Sequence, residues 1–483
     1  MLSKFQGIIS KIIIVCLAIF TTVVLIQMGH FLTINYLKVE PVLTVLVFLC
    51  AIIFVGGGGF VLYRIRDDDP NLNRLILISM LMVFAIAAII WLKLVPQTQF
   101  SDFKAFWRTA PKALEGKAIY KYDNDYFAKW AYQTGYLVYV MTVVKVFGHK
   151  IIAIQLLNVL YQVLILLMSY TLAMQLFKNV SVARLTVFIL MIDLDWFALN
   201  SQADNQYLGM LLFLVTFYLI MKNQYWAYAL AGITLGVGSI IRPIGPVVIA
   251  GIVVYALLYL FIQNNQFNWS GLGKILITLV IYQVIFSSAG MAIKSSGLNE
   301  YGLTNRDSEW KFVVGLDANS NGSYDQGMVN RFNLKDSRAK MSAQEHQVIR
   351  ENISNLNSTH GWLKLFWNKN ETLWASRSTT IDFTGFETQH SLKVSNMAKL
   401  LGYMGTVILI IFSWIGSLRL WHNKNQKTFL LVLPLMAYAV VQLLIEVQGR
   451  YRLEFLPVIA ILGGLGLFTI CEWMRSKWGK MNV

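Results

Sequence analysis

The sequence predicts an all-α polytopic membrane protein, on three observations. Hydrophobic residues make up 56% of the 483 and charged residues only 14%. Runs of about 20 apolar residues recur along the chain, each long enough to cross the ~30 Å of hydrocarbon in a bilayer. The net charge of +16 is scattered over the short stretches between those runs. Basicity spread in this way argues against nucleic acid as a partner and for the Lys/Arg excess of cytoplasmic loops.

About twelve runs are expected to span. They lie near 8–28, 41–63, 75–95, 151–177, 183–199, 205–222, 226–241, 244–262, 272–291, 397–420, 428–446 and 453–473. The first has no small-residue cleavage site after it and reads as a retained helix, not a signal peptide. Gly56–Gly59 inside the second permits close helix packing or a kink. Twelve spans place Lys4, Lys11, Arg64, Arg66, Arg74, Lys178, Arg184, Lys222, Lys274, Arg419, Lys424, Lys427, Arg475, Lys477 and Lys480 on one side, with both termini cytoplasmic. The apolar stretch from Tyr136 to Lys150 is short. As a span it would break that charge pattern; as a helix lying at the interface it keeps it. Cys16, Cys50 and Cys471 all fall inside apolar runs, so no disulfide framework is indicated.

Five segments follow from this layout: N-terminal transmembrane helices over 1–95, a first large extracytoplasmic loop with interfacial helices over 96–150, a transmembrane core over 151–293, a small extracytoplasmic domain over 294–396, and C-terminal transmembrane helices over 397–483. In the fourth, the stretch from His360 to Trp374 sets apolar residues at helical spacing with lysines on the other face and reads as an interfacial helix. No internal repeat is apparent.

Ionisable residues beside membrane spans are costly and mark candidate sites. Asp102 follows the third run directly and is succeeded by Phe103, Lys104, Phe106, Trp107 and Arg108. A carboxylate held there can accept the proton of a sugar hydroxyl as that oxygen attacks an anomeric carbon. The competing reading is a helix cap from Ser101 and Asp102. Far along the chain, between the last two runs, stands Glu446-Val-Gln-Gly-Arg-Tyr-Arg452. Arg450 and Arg452 could clamp a phosphate through bidentate donors, with Glu446 orienting one of them; the competing reading is two arginines anchoring a span boundary. Arg242, before Pro243 and Pro246, is a further candidate for the phosphate, and Tyr451 belongs with the same group. Lys104, Trp107, Asp204, Glu446 and Gln448 are candidates for positioning substrate, with Phe103 among the aromatics that could line its path. Asp204 and the pair Asp193 and Asp195 could also meet a divalent ion. No His-x-x-x-His, Cys-x-x-Cys or paired-carboxylate spacing calls for a metal, so no metal site and no cofactor is assigned.

The segments Ser101–Trp107, Ala113–Tyr120, Gly236–Pro243 and Gln448–Pro457 resemble recurring elements of GT-C fold glycosyltransferases. They are most similar to the bacterial protein O-mannosyltransferase and aminoarabinose-transferase-like group. The resemblance implies a GT-C-like bundle, a polyprenyl-phosphate sugar donor, and an active site on the extracytoplasmic face of a bacterial cytoplasmic membrane. It also implies an inverting transfer in one displacement, with Asp102 as general base. The acceptor would be a cell-wall polymer, a lipid-linked glycan or a protein. Two runs precede the one leading to Asp102 where that group has one, and Gln133-Thr-Gly135 replaces its Pro-Pro. Two other classes stay open: a transporter or flippase of a lipid-linked saccharide, and a polymerase or ligase of lipid-linked glycans.

Overall fold

The structure is a computed structural model that describes residues 2–121, 126–263, 266–333, 336–423 and 425–481. Lys424, and the side chain of Lys480, lie outside the described residues.

The chain is an all-α polytopic membrane protein. Among the described residues, seven helical segments are long and apolar enough to cross a bilayer: Leu2–Leu37, Pro41–Arg64, Pro70–Leu94, Ile151–Phe177, Trp269–Ser295, Leu392–His422 and Gly449–Lys477. Five shorter apolar ones, Val180–Met191, Gln206–Met221, Tyr225–Ile241, Gly245–Leu260 and Gln426–Gln442, overlap the remaining expected runs, but the run expected over 183–199 is continuously helical only as far as Met191. Position in the bundle explains the composition of each. Of the most apolar stretch of Gly449–Lys477, 83% is buried, against 11% for Pro41–Arg64. The first is therefore a central helix and the second a peripheral one. Peripheral helices keep lipid-facing stripes, such as Ile8, Ile12, Ile19 and Ile26, opposite the buried Leu17, Val24 and Met28.

Glycines set the tightest crossing. A side chain on Gly416 would run into the carbonyl of Leu462, and one on Gly466 into the carbonyl of Phe412. The Leu392–Arg419 and Leu456–Met481 helices therefore meet backbone to backbone, the small-residue packing available where no water drives helices together. Gly58 and Gly59 pack instead against the side chains of Phe188 and Leu467, while Gly56 and Gly57 face open space, so half of the glycine run is a packing face in an unbroken helix.

The stretch expected to lie at the interface is a helix over Thr134–Phe147. Its 14 residues reach about 21 Å at 1.5 Å per residue, too short to cross alone. It packs on the Ser101–Leu114 helix. The 294–396 region holds a small core of its own from Trp310, Val313, Val314, Met328, Phe332, Met341 and Val348, with Trp130 joining from the first loop. One expectation there is corrected. Trp362–Asn370 is helical, and Leu363, Lys364 and Trp367 are exposed. Lys369, however, is fully buried, because its Nζ donates to the carbonyls of Gly315 (2.6 Å) and Ile445 (2.8 Å). Arg184, read as a loop charge, is also buried. It donates to Asp67, Asn73 and the carbonyl of Ile65.

Candidate active site

Asp102 is placed by the irregular backbone that precedes it and by a second irregular segment packed against that stretch. The segment 192–205 joins two apolar helices without being continuously helical, and buried carbonyls left without a donor there would each cost roughly 1–3 kcal/mol. Side chains satisfy them. Asn158 donates to the carbonyls of Asn200 (3.2 Å) and Gln202 (2.8 Å), Gln155 to that of Ser201 (2.9 Å), and Gln162 to that of Phe197 (3.1 Å). Trp91 Nε1 donates to the carbonyl of Ala198 at 2.9 Å. The same segment then holds the approach to Asp102. Gln202 accepts from the Phe100 N–H and donates to the Thr98 carbonyl, while Gln99 accepts from the Ala203 N–H.

The Ser101–Leu114 helix starts there, with Ser101 at φ +48°. A non-glycine residue in the left-handed region is uncommon and marks strain of the kind that gathers at functional positions. Phe100 stands at the cap position and no side chain caps the helix. The Asp102 carboxylate turns to Arg450 instead, with Nη2 to Oδ2 at 2.5 Å. The Asp102 side chain is 29% exposed and that of Arg450 3%. Burial, helped by the Asp102 charge, pushes the Tyr126 phenol well above its usual range, so it stays protonated near that carboxylate.

Arg450 belongs to a 3-10 turn, Gly449–Phe455, that leads into the last helix. Its guanidinium also donates to Gln448 Oε1 at 2.9 Å and lies about equally far from the rings of Phe103, Phe383 and Tyr451. Gln448 Nε2 donates to Glu446 Oε1 (2.7 Å), and Lys311 Nζ to Glu446 Oε2 (2.7 Å). Arg242 pairs with Glu454 and donates to Asn205. Its guanidinium sits 5.2 Å from the centre of the Tyr451 ring. Gln206 ties the two halves, donating to the carbonyl of Arg450 and to Glu454 Oε1, both at 3.0 Å.

Of the residues singled out in the sequence, Asp102, Arg242, Glu446, Gln448, Arg450 and Tyr451 thus come together. Asp204 lies beside them and is buried. Its Oδ1 accepts from the Gln206 N–H, and among the described residues Oδ2 has no partner. Burial pushes the Asp204 carboxyl up to about 7, with Arg242 and Arg450 pulling it back.

Three residues are placed otherwise. Arg452, 1% exposed, donates to the carbonyls of Trp374 and Ser376 and reaches Asp195 Oδ2 at 3.5 Å. It is absorbed in a buried network with Asp195 and Thr380, so the expected arginine pair is not a pair of neighbours. Lys104 is exposed, two residues along the helix from Asp102 and so on another face. Trp107 stacks on His149 with ring centres 3.9 Å apart. Among the described residues no three His, Cys, Asp or Glu side chains gather as a metal site.

Several members escaped the sequence reading. Glu454 carried a readable signal, a carboxylate at the start of an apolar run. Gln155, Asn158 and Gln162 carried another, a polar stripe at helical spacing inside one. Lys311, Tyr126 and Gln206 carried none.

No family model and no curated protein matches the chain. Among solved structures it is similar to the archaeal oligosaccharyltransferase AglB from Archaeoglobus fulgidus, in complex with an inhibitory peptide and a dolichol-phosphate, with a TM-score of 0.46 and 11% identity. The match covers 84% of this chain and 52% of that one, so this chain spans about half the length of that protein.

Proposed function

We propose that this protein is a membrane glycosyltransferase that moves a sugar from a polyprenyl-phosphate carrier to a hydroxyl of an extracytoplasmic acceptor, with Asp102 as general base. The observation that carries the reading is the pair of a partly exposed Asp102 and a buried Arg450. A carboxylate at the mouth of a site, oriented through one oxygen by a guanidinium behind it, is arranged to receive a proton from an incoming hydroxyl. As the acceptor oxygen bonds to the anomeric carbon, its proton passes to Asp102. The bond from that carbon to the phosphate oxygen breaks with inversion, and the phosphate leaves with its electron pair. Arg450 and Arg242 supply positive charge toward that leaving group, where fixed cations in a poorly hydrated site act most strongly. The likeness of Ser101–Trp107 and Gln448–Pro457 to GT-C glycosyltransferases supports the same assignment. Arg452 is given a structural role instead.

The test is transfer from a radiolabelled polyprenyl-phosphate sugar in proteoliposomes, with Asp102→Asn beside wild type. The expected result is a fall of at least about a hundredfold in a variant that still folds, the usual scale for a general base. Label that crosses the bilayer equally in both proteins, without transfer, would point to a flippase. Acceptance of only a diphosphate-linked oligosaccharide would point to a polymerase or ligase.

A further inference from the structure

Three cations surround one aromatic ring: Arg242, Arg450 and Lys311 lie 5.2, 5.3 and 5.7 Å from the centre of Tyr451. Such crowding of like charge is costly unless anions offset it. Here each cation has its own carboxylate: Glu454, Asp102 and Glu446 respectively. The three pairs differ in how freely they can exchange partners. Arg450 is 3% exposed and also bound to Gln448, and Arg242 is 8% exposed and bound to Asn205. Lys311 is 28% exposed and stands at 4.8 Å from the Trp130 ring. Its ammonium carries three donors, on a flexible stem that can swing to another anion.

Glu446 is also prepared to lose it. Its Oε2 faces Lys311, while Oε1 accepts from Gln448 Nε2 at 2.7 Å and from the Tyr451 hydroxyl at 3.4 Å. The carboxylate would therefore keep two donors if the lysine moved away. The backbone would hold as well, since the Glu446 N–H donates to the Lys311 carbonyl and the Val447 N–H to that of Gly322.

We propose that Lys311 is the exchangeable cation of this site, and that the phosphate-ester anion of a prenyl lipid displaces the Glu446 carboxylate from it. The proposal rests on the phosphate-carrier reading above. It gives the 294–396 region a direct part in binding, by presenting one ammonium on the Trp310–Gly315 helix.

The test is equilibrium binding of farnesyl phosphate to the full chain in nanodiscs, for wild type, K311Q, K311R, E446Q and the double variant K311Q/E446Q. A charge-assisted hydrogen bond lost to an anion weakens binding on the order of tenfold, which is the expectation for K311Q measured below its own melting temperature. K311R should bind within a few-fold of wild type. E446Q should bind several-fold more tightly, because the competing carboxylate is gone, and the double variant should match K311Q. Wild-type affinity in K311Q would overturn the proposal, as would an E446Q variant weakened as much as K311Q. Displacement of farnesyl phosphate by an equal concentration of inorganic phosphate would assign the site to a free anion and overturn the lipid source. Transfer activity separates the two readings. If Asp102→Asn transfers normally while the binding series behaves as expected, the base assignment fails and Lys311 stands. If transfer depends on Asp102 while K311Q binds normally, the reverse holds.

Discussion

Arg452 donates to two backbone carbonyls and reaches the carboxylate of Asp195, all out of contact with solvent. Removing one partner of a buried ion pair strands the other, at a cost of about 3–5 kcal/mol. Arg452→Leu is thus expected to lower the melting temperature in detergent by several degrees, and adding Asp195→Asn should recover part of the loss. Arg450→Leu should act differently, abolishing transfer with a smaller change in melting, because its partner Asp102 can turn to water. Equal melting losses in the two arginine variants would refute the distinction. At this scale the sequence was half legible. Asp102 and Arg450 announced themselves, since a charge next to a long apolar run is costly enough to need a reason. Arg452 announced itself equally and for a different reason, a buried network that no spacing reveals. Lys311 and Tyr126 sit in polar stretches where a lysine or a tyrosine is ordinary, so only the fold brings them to Asp102 and Glu446.

Among elements, the crossing of the Leu392–Arg419 and Leu456–Met481 helices depends on Gly416 and Gly466 facing opposing carbonyls. A larger residue cannot be absorbed by a side-chain rotation there, because what it meets is backbone. Gly466→Leu should cost at least the ~1–3 kcal/mol typical of overpacking, read as a lower melting temperature and faster proteolysis. Gly57→Leu, with nothing within reach of a new side chain, should leave both unchanged. The positions of the apolar runs were readable because their length and composition are dictated by the bilayer. The five shorter ones were readable only as apolar, and their burial inside the bundle was not. The polar stripe of Ile151–Phe177 is the converse case. Its amides were visible in the sequence, and their purpose became clear only once the irregular 192–205 segment lay against them.

For the whole molecule, the region beyond the helix Trp269–Ser295 makes stability depend on pH. Burial, reinforced by Glu309, pushes the Glu345 carboxyl up to about 8. The folded protein therefore holds a proton that the unfolded chain releases near the ordinary carboxyl value. Stability from this group is fully present below that value and is lost as pH rises through about 8. Glu345→Gln, permanently neutral, should melt above wild type at about pH 9, with the gap narrowing as pH falls and closing only near the ordinary carboxyl value of 4.5; a gap independent of pH would contradict this origin. The pairing of Asp102 with Arg450, 348 residues apart, also bears on how the protein is made. Translation delivers the acid early, and its guanidinium arrives only when the penultimate helix has been synthesised. Until then Asp102 waits without its partner, as Arg242 waits for Glu454. A ribosome stalled before Leu443 would thus leave an inserted chain with unmatched charges of both signs.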